Sequence, residues 1–224
     1  MSTKIKSIAL SPGSDCTDLF RAAYKNRYTW EPGFSGYEGK CICEDANKIF
    51  EGKFKLDDNF NALVDGIDND LIHKAISAQL WEVSIHRVRR SFDETHGQNT
   101  FTAWDTNSQG TEVIVGGKNV GDRYRINNQI VTMVRRYIQG TLVTIFTEST
   151  TNTSKGYLAH KYNSQYLDPT TGIPWSGISH FTDTFFPLAD CGAWILTKRV
   201  IKTESHDDTT AKQQVFSFVD LKRV

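Results

Sequence analysis

The side chains with the greatest capacity for chemistry are six histidines and the basic segment "HRVRRSF" that contains one of them. His86 follows Glu82 by four residues, and His160 lies in "YLAHKY". Imidazole and carboxyl groups transfer protons near neutral pH, so we expect Glu82, His86 and His160 to be the catalytic residues if the protein is an enzyme. No two histidines have the i, i+4 or i, i+2 spacing of metal ligands, so we expect no bound metal.

Motifs of the common nucleophile and cofactor sites are absent from the sequence. It has no Gly-x-Ser-x-Gly elbow, no His-Glu-x-x-His, no phosphate-binding loop and no dinucleotide fingerprint, and "GGKNVG" indicates a hairpin turn. We therefore expect no cofactor. Lysine plus arginine and aspartate plus glutamate are equal at 26 each, which excludes a strongly basic chain, so we expect no nucleic-acid partner.

The basic segment allows two interpretations. On helical geometry its cations lie opposite an apolar stripe, which is typical of a solvated face. Alternatively, Arg90 or His86 turns toward a cavity and binds the acidic head of a ligand. A similar choice arises in "VRRYI", where Arg135 and Arg136 lie on opposite faces of one strand. One of them then points inward or lies at a rim and needs a carboxylate partner, and we expect Arg136 to bind the ligand.

Aromatic residues are frequent near these charged residues and make up 12% of the sequence. Apolar ligands are held mainly by buried ring surface, whereas an arginine that binds a carboxylate adds orientation. We therefore expect rings from the first loop, the second helix and facing strands to form the cavity wall, with a cation at its polar end. The expected ligand-binding residues are Trp30, Tyr37, Trp81, Arg90, Arg136 and Tyr157, with His86 as a further candidate for the polar end.

Two segments have helical patterns. The first spans residues 15–27, with Asp15 as its cap. The second spans residues 68–96, and we expect Gly97 to be its left-handed C-cap. The apolar stripe of the second helix changes face halfway along, so we expect either a kink near Gln79 to Trp81 or burial on two sides.

Most of the remaining sequence alternates apolar and polar residues in short runs separated by turn residues, as in "IFEGKFKL". This pattern indicates antiparallel strands, in residues 36–66 and in a meander over residues 98–224. The sequence therefore predicts an α+β, mainly β fold. We expect a single curled antiparallel sheet, an open or incomplete β-barrel, with the N-terminal helix and the long central helix packed at its concave side.

The length of 224 residues predicts a single domain over residues 1–224. Its first apolar run, Ile8 to Leu10, is too short for a secretory signal or a membrane span. We therefore expect residues 1–14 to be a flexible segment and the protein to be cytoplasmic, with no integral membrane segment. The sequence does not predict the oligomeric state.

Several longer segments resemble a known family. "LFRAAYKNRYTW", "GFSGYEG", "AQLWEVSIHRVRRSFDETHGQNTFT" and "YLDPTTG" are similar to cyanobacterial and plastid proteins known as domain of unknown function 3386, over most of the chain. The family name carries no activity, so the resemblance implies none. The order of elements also resembles, more weakly, the fold of the lipoprotein carrier LolA and its relatives, an incomplete antiparallel barrel whose helices plug a hydrophobic cavity.

Three functions fit these features. We expect a protein that binds a hydrophobic, lipid-like or conjugated small molecule in a barrel cavity. A cofactor-independent enzyme, such as a cyclase or isomerase of secondary metabolism that performs acid and base chemistry on an apolar substrate, needs the same cavity walls. An assembly factor is the third alternative. The sequence does not choose between the first two, and it does not identify the ligand.

Overall fold

The computed structural model describes residues 10–57, 59–138, 140–204 and 211–224 of the chain. In these ranges there are three helices, α1 (Thr17–Lys25), α2 (Asp70–Arg87) and α3 (Phe92–His96). The same ranges contain twelve strands, which in chain order are β1 (Tyr37–Asp45), β2 (Lys48–Leu56), β3 (Ala62–Asp65), β4 (Asn99–Asn107), β5 (Gly110–Gly117), β6 (Arg123–Asn127), β7 (Ile130–Ile138), β8 (Thr141–Thr153), β9 (Gly156–Leu167), β10 (Ser179–Pro187), β11 (Trp194–Thr203) and β12 (Lys212–Arg223).

The described strands belong to one sheet with the order β3-β2-β1-β12-β11-β10-β9-β8-β7-β6-β5-β4. From β4 to β12 each strand is followed in the sheet by its successor in the chain, and β1 pairs antiparallel with β12. The order ends at β3 and at β4, so the sheet is unclosed. The prediction of a mainly β fold built on a single, open, antiparallel sheet is therefore confirmed.

The contacts within the chain divide it into two compact units. Unit 1 comprises Met1–Arg27, Ser91–Thr147 and Tyr166–Trp175, and unit 2 comprises Tyr28–Arg90, Glu148–Gln165 and Ser176–Val224. Each unit has a hydrophobic core of its own. The expectation of one domain over residues 1–224 stays a prediction.

In unit 1, α1 packs on β4, β6 and β7. Phe20 of α1 stacks on Phe101 with ring centroids 4.3 Å apart and meets Tyr124 edge-on at 4.8 Å. Residues of β5 and β6 are buried alternately, as expected for strands with one face on a core. α1 begins two residues after its predicted start, and its N-cap is Cys16 rather than the expected Asp15. The carboxylate of Asp15 accepts a hydrogen bond from the backbone N–H of Thr17 at 2.9 Å.

The predicted flexible segment 1–14 is only partly within the described residues, because residues 1–9 lie outside them. The backbone N–H of Gly13 donates to the carbonyl of Ala103 at 2.8 Å, and the carbonyl of Ser14 accepts from the N–H of Ala103 at 2.9 Å. These two residues are thus paired with the edge strand β4, and the expected flexibility of the segment stays a prediction. Pairing of this kind satisfies backbone groups that an open edge leaves unpaired.

In unit 2, α2 packs on β1 and β3. The side chain of Asn69 caps its first turn by accepting hydrogen bonds from two backbone N–H groups at 3.1 Å. One continuous helix runs through the region where we expected a kink or a second buried face. Instead, Trp81 is 55% exposed and Ile85 is 38% exposed. The buried face consists of Ile72, Ile76, Leu80, Val83 and Ser84.

The helix predicted over residues 68–96 is two helices. α2 ends at Arg87, whose carbonyl accepts from the backbone N–H of Trp30 at 2.7 Å. α3 begins after Ser91, whose hydroxyl accepts from the N–H of Glu94 while the Glu94 carboxylate accepts from the N–H of Ser91. Gly97 has a right-handed φ of −61°, so it is not the left-handed cap that we expected. This division does not explain the change of face in the apolar stripe, because Trp81 and Ile85 belong to α2 and lie on its exposed side.

Candidate functional site

The segment that joins α1 to β1 is fixed at three points within unit 2. The backbone N–H of Tyr28 donates to the carbonyl of Tyr157 at 2.9 Å. The indole Nε1–H of Trp30 donates to the carbonyl of Trp194 at 3.0 Å, and the hydroxyl of Tyr28 accepts from the N–H of Trp194 at 2.9 Å. Both rings are therefore buried with their polar atoms satisfied, and Trp30 is only 2% exposed.

A tight turn follows Trp30. The N–H of Phe34 donates to the carbonyl of Glu31 at 3.1 Å. Pro32 and Gly33 occupy the two central positions, and Gly33 has a φ of +84°, which is the arrangement of a type II turn. The turn brings the ring of Phe34 back onto Trp30, with centroids 4.9 Å apart. The turn therefore places the two aromatic rings in contact with each other.

A pocket of about 450 Å³ opens beside this turn. Small-molecule sites have volumes of roughly 300 to 1,000 Å³ and mostly apolar walls with few polar groups. Three rings, a valine and one ion pair contribute to this wall. The lining residues are Trp30, Glu31, Pro32, Gly33, Phe34, Ser35, Phe60, Val88 and Arg89.

Phe60 holds its place in the wall through a strained backbone. Its φ is +62°, a left-handed value that costs a residue with a side chain about 1 to 3 kcal/mol. The carboxylate of Asp57 accepts from the N–H groups of Asn59 and Asn61 at 2.9 and 2.8 Å, and the Asp57 carbonyl accepts from the N–H of Phe60 at 2.9 Å. These bonds fix the conformation in which the Phe60 ring stacks on Trp30, with centroids 5.3 Å apart.

The polar rim of the pocket is a short chain of charges. Arg89 lies 3.3 Å from Glu31, and its Nε–H donates to the hydroxyl of Thr29 at 3.2 Å. Glu31 also lies 3.0 Å from the ammonium of Lys155. The hydrogen bond from Lys155, together with the charge of Arg89, holds the pKa of Glu31 below its usual value. Glu31 therefore has two cationic partners, of which only Arg89 lines the pocket.

A second polar cluster lies in the core of unit 2, between α2 and the strands β9, β10 and β11. Arg199 donates from two nitrogens to the two carboxylate oxygens of Asp183, both at 2.7 Å. The guanidinium also donates to the hydroxyl of Tyr162 at 2.7 Å and to the side-chain oxygen of Gln79 at 2.8 Å. Glu82 lies 3.4 Å from it. The cluster therefore joins α2 to three strands.

The protonation states of this cluster follow from its surroundings. Burial raises the pKa of Tyr162, although the charge of Arg199 opposes that shift. Burial disfavours the charge of Arg199, yet its pKa is raised because Tyr162 and Asp183 stabilise the cation. The ring of Tyr162 stacks on Phe181 with centroids 4.7 Å apart, beside the guanidinium. Arg199 is thus a permanently charged group with a carboxylate, amide and phenol around it.

The predicted rings are only partly brought together. Trp30 lines the pocket, and Tyr37 packs behind it with ring centroids 6.2 Å apart. Tyr157 is buried in β9, where its carbonyl holds the backbone of Tyr28. Trp81 lies on the exposed face of α2, which corrects its expected place in a cavity wall. The wall contains Phe34 and Phe60 instead.

None of the predicted polar or catalytic residues lines the pocket. His86 and Arg90 are exposed, and Glu82 lies beside the buried Arg199 cluster. The ring nitrogens of His160 lie 2.9 and 3.0 Å from the hydroxyls of Ser149 and Thr151. Arg136 belongs to unit 1. A ligand-binding or catalytic role for these residues stays a prediction.

The sequence interpretation missed Arg89 at the rim and the pair Asp183 and Arg199 in the core. A signal for the pair was present, because Asp183 alternates with Phe181 and Phe185 in one strand and therefore shares their face. A charge in such a position indicates a buried partner. Arg89 carried no such signal, because its orientation depends on where α2 ends.

Among the residues that the structure describes, no group of three or more His, Cys, Asp or Glu side chains is arranged to hold a metal ion. The helices in the described ranges include none that is both long and apolar enough to cross a membrane. The expected cytoplasmic location stays a prediction.

Two solved structures are similar to nearly the whole chain. A DUF1329 family protein from Desulfovibrio piger is 8% identical with a TM-score of 0.27, over 92% of this chain and 90% of that chain. A LolA superfamily protein from Nitrosomonas europaea is 8% identical with a TM-score of 0.26, over 94% of each chain. Likeness at this level assigns neither a ligand nor a function. No curated protein matches the chain.

The sequence itself gives a more specific match. The family described as "Protein of unknown function (DUF3386)" matches residues 11–224, which leaves only the first ten residues outside. The match extends from α1 to the end of β12 and so includes both units. The chain therefore belongs to the DUF3386 family.

Proposed function

We propose that unit 2 binds a small apolar molecule that carries one acidic group, in the pocket beside the Glu31–Phe34 turn. The observation that carries the proposal is the pocket of about 450 Å³ with the rings of Trp30, Phe34 and Phe60 in its wall and a single cation, Arg89, among its lining residues. This combination of apolar wall and one charged group is typical of small-molecule sites.

The rings favour a flat or elongated apolar ligand. Burial of apolar surface contributes about 25 cal/mol per Å², so contact with three rings supplies most of the binding free energy. The Trp30 and Phe60 rings are stacked, and the strained Phe60 backbone is already in place before a ligand enters. A wall ordered in advance reduces the entropy lost on binding.

The ion pair at the rim favours an acidic group on the ligand. A guanidinium binds a carboxylate through two parallel N–H donors, which fixes the orientation of the ligand. If Arg89 turns to a ligand carboxylate, Glu31 keeps Lys155 as a partner at 3.0 Å. Exchange of partners at the rim therefore leaves no carboxylate unpaired.

Fluorescence titration with cis-parinaric acid tests this function, because this conjugated fatty acid emits strongly only in an apolar site. We expect saturable binding to the parent protein. Phe34→Ala and Phe60→Gly should each weaken the affinity about tenfold or more, since each removes a ring of the wall. Trp81→Ala, which removes an exposed ring of the same unit, is the matched control and should bind as the parent does.

The acidic group is tested with Arg89→Gln and the methyl ester of the same fatty acid. The variant should bind the acid more weakly than the parent does and the ester equally well. Parent-like affinity for parinaric acid in both ring variants, or an equal loss in Trp81→Ala, would contradict the proposal. An equal effect of Arg89→Gln on acid and ester would contradict the role of the cation.

A further inference from the structure

Helix α2 carries apolar residues on the face that points away from the sheet. Leu71 is 78% exposed, Trp81 is 55% exposed and Ile85 is 38% exposed, and the small residue Ala78 is exposed between them. On helical geometry these four residues, here called the outer stripe, lie opposite the buried face of α2. The described ranges of the chain therefore leave the outer stripe open to a partner.

The spacing of the outer stripe is that of a contact between two helices. Leu71, Ala78 and Ile85 follow one another at seven residues, a spacing that drifts by only about 20° per repeat on a straight helix. Trp81 lies three residues after Ala78 and four before Ile85. Alternate steps of three and four residues place side chains along the seam between two packed helices. A helix that packs only on a sheet has a polar outer face instead, so the pattern favours a second helix as the partner.

This surface of α2 is self-complementary about Ala78. Leu71 precedes Ala78 by seven residues, and Ile85 follows it by seven. Lys74 precedes it by four residues, and Glu82 follows it by four. If two copies of α2 pack antiparallel with their Ala78 residues at the centre, Leu71 of each copy lies level with Ile85 of the other. Lys74 of each copy then lies level with Glu82 of the other, so apolar residues and opposite charges are matched in the same arrangement.

The two charged residues are open to such a contact. Lys74 is exposed, and within the described ranges no carboxylate forms an ion pair with it. A carboxylate oxygen of Glu82 lies 3.4 Å from Arg199, yet the Glu82 side chain is still 37% exposed. The Trp81 ring lies one residue from Glu82 and so close to the level of Lys74 of the other copy, where an ammonium on an indole face is attractive. A parallel pair would instead place Lys74 beside Lys74, which is repulsive.

We propose that the outer stripe is the contact surface of a homodimer, in which α2 of one copy lies antiparallel on α2 of the other about a two-fold axis at Ala78. A two-fold contact uses the same surface of both copies and therefore requires the self-complementarity that α2 has. The small side chain of Ala78 at the centre allows the two helices to approach closely, because the interaxial distance of about 8 to 10 Å depends on the side chains at the contact.

The contact is expected to be weak. One helix from each copy provides a small interface compared with the roughly 1,200 to 2,000 Å² of stable complexes. We expect a dissociation constant on the order of 0.1 mM, so the protein is a monomer at the low micromolar concentrations of a fluorescence titration. The dimer is therefore independent of the pocket proposed above, and the failure of either proposal leaves the other intact.

Sedimentation equilibrium of the full chain tests the dimer between about 10 μM and about 1 mM protein. The weight-average mass should rise from that of one chain, 25.4 kDa, toward twice that value. Ala78→Glu places two like charges at the two-fold axis and Lys74→Glu places one beside Glu82, so each should weaken association about tenfold or more. Ile49→Glu, which adds the same charge at a 66% exposed apolar residue of β2, is the matched control and should associate as the parent does. All three substituted positions are exposed, so the variants should fold as the parent does.

Cysteine cross-linking tests the antiparallel arrangement, in a Cys191→Ser background that lacks the exposed native thiol. On oxidation with copper phenanthroline, Ala78→Cys should form a disulfide with a second copy of itself. Leu71→Cys should form one with Ile85→Cys when the two variants are mixed, and not with a second Leu71→Cys chain. Self cross-linking of Leu71→Cys in place of the mixed product would overturn the antiparallel pair. A constant mass of one chain at all concentrations, or parent-like association of Ala78→Glu, would overturn the contact itself.

Discussion

Asp183 and Arg199 face each other directly across β10 and β11, and each carboxylate oxygen lies 2.7 Å from a different guanidinium nitrogen. Both side chains are 2% exposed. Taking two charges out of water is costly, so such a pair adds little stability compared with apolar residues, but removal of one partner leaves the other charge buried and uncompensated.

The losses of stability caused by substitutions in this pair should therefore be non-additive. We expect Asp183→Asn and Arg199→Met each to lower the free energy of unfolding by about 3 to 5 kcal/mol, and the double variant to lose less than the sum. Denaturant unfolding followed by circular dichroism measures this. Lys198→Met, on the exposed face of the same strand, is the control and should change stability little. Additive losses in the double variant would refute the coupling.

The left-handed backbone of Phe60 predicts that a glycine variant is more stable than an alanine variant at this position. Both Phe60→Gly and Phe60→Ala lose the stacking on Trp30, but only glycine adopts a φ near +62° without strain. We expect Phe60→Gly to be more stable than Phe60→Ala by about 1 kcal/mol, despite the greater entropy of glycine in the unfolded chain. Thermal and denaturant unfolding decide this, and a more stable alanine variant would show that the left-handed conformation is not maintained in solution.

His96 gives a prediction about pH. Its pKa in the folded protein is lowered from 6.5 to about 4, chiefly by burial. Between these two values the unfolded chain binds a proton that the folded chain does not, so stability falls as the pH drops from about 6.5 to about 4. His96→Phe should reduce this pH dependence, because phenylalanine fills a similar volume without titrating. Denaturant unfolding across this range measures the slope, and an unchanged slope in the variant contradicts the assignment.

The fold was predictable from the sequence where local pattern alone decides. Alternation in β5 and β6 and the Gly and Asn turns indicated the antiparallel sheet. The break between α2 and α3 also had a local signal, since "SFDE" from Ser91 to Glu94 is a capping box. The reason that α2 ends at Arg87 is not local, however, because its carbonyl bonds to the N–H of Trp30, 57 positions earlier (87 − 30).

The site was less predictable, because it depends on contacts between distant segments. Trp30 was an expected residue of the cavity wall, whereas nothing in the sequence places Phe60 on Trp30. Arg90 was expected at the polar end, and Arg89 lies there instead. The prediction oriented both arginines as members of one helix, with about 100° between successive side chains. α2 ends at Arg87, however, so both arginines follow the helix and that geometry does not apply to them.

The central claim, that the pocket beside Trp30 binds an apolar acid, is tested most directly by the indole N–H signals in an NMR titration with cis-parinaric acid. The Trp30 indole donates to the Trp194 carbonyl at 3.0 Å at the wall of the pocket, whereas Trp81 is 55% exposed on α2. We predict that the Trp30 signal changes and saturates at one equivalent per chain while the Trp81 signal stays constant. A Trp30 signal that does not change, or a change at Trp81 that never saturates, would contradict the account.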